Sequence, residues 1–125
     1  TQKMIHFYMD SAMGPTQITD QGVEIPLNAV PAGQWLVIKD LIVTAKNSGS
    51  VESQVALTVG TTGSGTAVWS HWFSGASKTE SHQQSFASGI VVGPGQKVSF
   101  ADSLGRNSPF AYSFKIYGYL TNQAP

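Results

Sequence analysis

The chain has no cysteine. That absence excludes a disulfide framework, a thiolate metal site and a cysteine nucleophile. Charge is scarce as well. Seven Lys plus Arg balance seven Asp plus Glu, and charged residues make up 11% of the 125, against about 25% in an ordinary soluble domain. A near-neutral surface exerts no long-range pull on nucleic acid or on an anionic membrane, so neither is expected as a partner. Solubility must then rest on Ser, Thr, Gln and Asn. No apolar run approaches the ~18 residues of a membrane helix, no basic-then-apolar leader is visible, and no stretch has a convincing helical period.

Catalytic and metal-binding patterns are also missing. The histidines, His6, His71 and His82, show neither the His-x-His nor the His-x-x-x-His spacing of a locally written metal site. Gly60 to Gly65 follows a strand-like segment, but no Gly-Lys-Ser/Thr closes it as a phosphate loop would require. No Gly-x-Ser-x-Gly elbow occurs. The seven acids are scattered, and Asp40 alone sits inside a strongly apolar segment. A carboxylate there must turn outward or find a partner. No cofactor, no metal and no enzymatic activity are expected.

What the chain does have is β-structure. The longest hydrophobic run, Trp35 to Ala45, is rich in β-branched residues and exceeds the usual strand length of about five or six. It reads as a central strand with a bulge near Lys39-Asp40. The lead-in Val30-Pro31-Ala32-Gly33-Gln34 has a counterpart in Val92-Gly93-Pro94-Gly95-Gln96, so two equivalent turns are expected to launch two strands. Other strand candidates are Lys3–Met9, Val23–Leu27, Val51–Val59, Ala67–Phe73, Ser85–Val92, Lys97–Ala101 and Ala111–Leu120. Val51–Val59 alternates most cleanly and is expected to form a hairpin with the central strand over Asn47–Ser50. Ser74 to Ser81 reads as a polar loop, and Gly89 as a bulge in a broken strand. The sum is one all-β domain over 1–125, an antiparallel β-sandwich or jelly roll of about eight strands.

Aromatic residues are the sharpest functional feature. Trp69, His71 and Phe73 should point one way from their strand, and Val68 and Trp72 the other. The closing strand carries apolar or aromatic bulk on both faces, with Tyr117 and Tyr119 opposite Phe114 and Ile116. Trp69, Trp72, Tyr117 and Tyr119 are therefore candidate interface or ligand-binding residues. Interfaces favour such rings and disfavour charge, and rings flanked by polar groups also suit sugars. Residues 1–15 carry three methionines, Met4, Met9 and Met13, and are expected to act as an extended docking arm able to adapt to an irregular surface.

Three segments, Val30–Leu41, Gly89–Phe100 and Tyr117–Leu120, resemble small β-sandwich structural domains of tailed bacteriophages, of the capsid decoration, head-fibre and tail-associated kind. The resemblance implies a non-enzymatic virion protein, assembled in the host cytoplasm, that forms a homo-oligomer, by preference a trimer, and binds a larger assembly such as a capsid. It carries over no catalytic residues. A carbohydrate-binding, lectin-like sandwich, secreted rather than virion-borne, is the competing expectation.

Overall fold

The computed structural model describes residues 2–10, 18–20, 23–25, 29–47, 49, 52–61, 65–74, 78–102 and 110–125. Nine strands follow one another: β1 (Gln2–Asp10), β2 (Ile18–Asp20), β3 (Val23–Ile25), β4 (Trp35–Asn47), β5 (Ser53–Gly60), β6 (Thr66–Phe73), β7 (Lys78–Val92), β8 (Lys97–Asp102) and β9 (Phe110–Thr121). They form two antiparallel sheets, ordered β3-β2-β1-β9-β4-β7 and β6-β5-β8. There is no helix among the described residues.

The pairing is nested. β1 pairs with β9, Ala29 bridges to Lys97 of β8, β4 pairs with β7, and β5 with β6. First element meets last, and so on inward, which is the connectivity of a jelly roll. The short β2-β3 hairpin extends the large sheet beyond β1. Inner faces of both sheets supply one core, in which Leu36, Ile38, Leu41 and Val43 of β4 meet Val55 and Leu57 of β5 and Phe114 and Ile116 of β9. Each such side chain contributes about 1.5–3 kcal/mol on burial.

β4 owes its length to the expected bulge. Its core residues fall at 36 and 38, then at 41, 43 and 45. A strict period of two cannot make that change of parity. Lys39 is the extra residue: Ile38 pairs with Gly118 and Asp40 with Tyr117, consecutive residues of β9. The bulge turns Asp40 to the outer face, where Ser85 Oγ donates to its Oδ1 at 2.5 Å. Asp40 is thus both turned outward and partnered. On the β7 side the register resumes only at Ser85, leaving Phe86 to Gly89 opposite the bulge. Lys39 Nζ reaches into that gap and donates to the Ala87 carbonyl at 2.7 Å, while Gly89 adopts a φ of 78°.

The two repeated turns are equivalent and adjacent. Gln34 N donates to Pro31 O, and Gln96 N to Gly93 O, both at 3.1 Å. Gly33 and Gly95 occupy the third position of each turn at φ 74° and 77°, the left-handed conformation a type II turn requires there. Val30 N to Gln96 O and Gly95 N to Val30 O tie the turns together.

Two expectations need correction. β4 and β5 are not a hairpin, because they belong to different sheets, and the chain crosses from one to the other after Asn47. The segment expected as a polar loop to Ser81 joins the sheet from Lys78, where β7 pairs with Asn47 onward. Within the segment 1–15, the strand expected over Lys3–Met9 is present as Gln2–Asp10, paired along its whole length with β9, and residues 11–15, Met13 among them, lie outside the described residues.

Candidate functional site

Alternation along three neighbouring strands builds one surface. Even-numbered residues of β9 from Tyr112 to Leu120 face the core, so Tyr117 and Tyr119 face out. Register places Met4, Tyr119, Val37 and Val91 side by side across β1, β9, β4 and β7. This apolar row is open where it matters: Met4 is 63% exposed and Val91 46%. Val37 is buried at its centre, flanked by Tyr119 and Val91. The next row runs His6, Tyr117, Asp40, Ser85. Tyr117 is 40% exposed, and the His6 ring stacks on it at 6.2 Å between centroids. An uncharged ridge of rings and methionine thus lies beside a row that carries hydrogen-bonding groups.

The candidates divide between places. Tyr117, Tyr119 and Met4 come together on this outer face. Met9 pairs through its backbone with Phe114 in β1, and its side chain, like Met13, lies outside the described residues. Trp72 projects from the outside of the small sheet, 55% exposed. Trp69 faces inward, with Phe114 edge-on to it at 6.3 Å. Trp69 and Trp72 therefore cannot form one platform. Sequence reasoning missed Val37 and Val91 as members of the outer row. No local signal marks them, since the row exists only once four strands distant in sequence are in register.

A second cluster lies between the sheets at their open edge. His71 of β6 and His82 of β7 stack face to face at 4.0 Å, 14° from parallel. Trp69 lies nearly parallel to both, at 6.0 Å from His71 and 5.8 Å from His82, and Phe73 meets His71 edge-on at 4.8 Å. Glu80 accepts a hydrogen bond from Ser74 nearby, and His82 Nε2 lies 3.4 Å from Gln84 Oε1. Burial lowers the His71 pKa from its ordinary value of 6.5; His82 adds to the effect and Glu80 opposes it. Imidazole lone pairs lie in the ring planes, so two stacked rings do not aim at a common ion. Among the described residues no three His, Cys, Asp or Glu side chains are grouped as a metal site.

The chain matches no protein-family model, no curated protein and no solved structure.

Proposed function

We propose that this chain is a non-enzymatic structural protein that works by assembly, a virion component of the capsid decoration kind, with the outer face of its large sheet as the contact surface. One observation carries the reading: the apolar row Met4, Tyr119, Val37 and Val91, with Tyr117 beside it, spans four strands without a charge. Met4, Val91 and Tyr117 are its exposed members; exposed apolar side chains grouped on one face mark interaction sites, and closed symmetry is the usual way to cover them. The occupant is a second copy of the chain, and the preferred assembly a trimer that docks on a larger protein particle.

Light scattering tests the first half. The expected mass is about 40 kDa, three chains of 13.3 kDa, falling to the monomer in Val91→Glu, which sets a charge at the exposed β7 end of the interface. A wild-type monomer at about micromolar concentration removes the argument. Docking is tested by adding wild type and Met4→Glu to particles that lack the protein. Truncation of residues 1–15 is the wrong instrument, because it removes a whole strand from the sheet.

A second reading, carbohydrate binding, draws on the pairing of Tyr117 with His6, Asp40 and Ser85 in one row, and on exposed Trp72. Rings offer sugar faces a stacking surface and the polar groups can meet hydroxyls. A reproducible fluorescence shift with one glycan of a broad panel, lost in Tyr117→Ala or Trp72→Ala, would promote it over assembly.

A further inference from the structure

β6 is an edge strand of the small sheet and β7 an edge strand of the large one. At this open edge the sheets meet through rings: His71 and Trp69 from β6 against His82 from β7. The other ties of β6 are the ladder with β5 and the packing of Trp69 and Phe73 on the core. Of its eight residues only Phe73 is buried, and it pairs along one side only, with β5.

Between two face-to-face imidazoles 4.0 Å apart a first proton is tolerated, because an imidazolium is attracted to the faces of a neutral ring and of Trp69. A second proton puts like charges in contact in a half-buried site. Groups facing the pair offer limited relief. From β7, the Glu80 carboxylate favours a proton on His71, and Ser74 donates to its Oε1. Gln84 is uncharged. β5 sets Val55 opposite His71, with Asp102 of β8 next in register. β4 sets Val43 beside His82, and β9 contributes Phe114 under Trp69.

We propose that the His71–His82 stack is a proton-operated latch, which holds β6 against the large sheet at neutral pH and releases it in mildly acid solution. The direction of the His71 shift agrees. Its closed-state pKa is lowered from 6.5, so the released state takes up the proton more readily. Stability of the closed edge is full above 6.5, declines as pH falls through that value, and stops declining below the closed-state pKa. The latch is distinct from the outer apolar row, which belongs to the opposite face of the large sheet.

Backbone amide hydrogen exchange, read strand by strand by NMR and corrected for intrinsic rates, tests this. Between about pH 7.5 and about pH 5, amides of β6 should lose roughly tenfold or more of their protection while those of β4 and β9 keep theirs. His71→Phe retains a ring in the stack but takes no proton, and should abolish the acid loosening. Should that variant fail to fold, His82→Phe makes the same comparison. Glu80→Gln should deepen the acid loosening, since without the carboxylate that favours its proton the closed-state pKa of His71 falls further below that of the released state. Protection of β6 that does not change with pH overturns the proposal. So does equal acid loosening in the phenylalanine variant, or loss of protection in all strands together.

Discussion

Deletion of Lys39 should be the mildest single-residue deletion β4 can suffer. The residue is supernumerary in the pairing with β9, where Ile38 and Asp40 already stand against consecutive residues. Removing it leaves Leu36, Val37, Ile38, Asp40, Leu41 in unbroken alternation, with the same side chains facing the core. What is lost is the bond from Lys39 Nζ to the Ala87 carbonyl, an exposed charge-assisted contact worth about 1 kcal/mol. Deletion of Ile42, three residues on, keeps Leu41 in place but turns Val43 and Ala45 outward and brings Thr44 and Lys46 into the core. Val43 alone forfeits about 1.5–3 kcal/mol, and a buried unpaired ammonium costs several more. The total is comparable with the ~5–15 kcal/mol that holds a domain together. Urea titration followed by tryptophan fluorescence should show the Lys39 deletion losing about 1–2 kcal/mol with an unchanged slope, and the Ile42 deletion with no cooperative transition. Equal damage from the two deletions would refute the bulge as a removable insertion.

Gly89→Ala should cost about 1–3 kcal/mol, because a left-handed backbone is combined with a methyl group driven into Val37 Cγ1. Gly33→Ala and Gly95→Ala meet no neighbouring atom and should cost about 1 kcal/mol from backbone strain alone; thermal midpoints of the three variants give the ranking. Thr58 Oγ1 and Ser99 Oγ share a 2.6 Å hydrogen bond in a buried pair across β5 and β8. Thr58→Val should cost about 1–3 kcal/mol by stranding the serine hydroxyl, and adding Ser99→Ala should recover part of that loss in a denaturation double-mutant cycle.

Sequence legibility followed the range of the interaction involved. The bulge was readable because Lys39-Asp40 interrupts a β-branched run, and the paired turns because proline and glycine recur at matching places. The direction of Trp69 and Trp72 followed from alternation alone. The turn after Asn47 was not readable, since the same polar residues serve a hairpin and a crossing between sheets, and only the partners of β5 distinguish the two. The first half of β7 was hidden for another reason. Its outward residues Thr79, Ser81 and Gln83 are polar, and its inward ones, Glu80, His82 and Gln84, line the open edge, so no apolar alternation betrays a strand. The outer row and the His71–His82 stack depend on strands far apart in sequence, and no window of the chain contains them.

The nested pairing sets a timetable for synthesis. β4 hydrogen-bonds only to β7 and β9, and β1 to β9 along its full length. When the ribosome has added residue 77, the longest hydrophobic strand of the protein has no sheet partner yet made. The hairpins β2-β3 and β5-β6 can form by then, but the large sheet is complete only once β9, Phe110–Thr121, has left the exit tunnel. Until then Leu36, Ile38, Leu41 and Val43 belong to a nascent chain that holds only part of the core that covers them, and a trigger for chaperone engagement is written into the strand order itself.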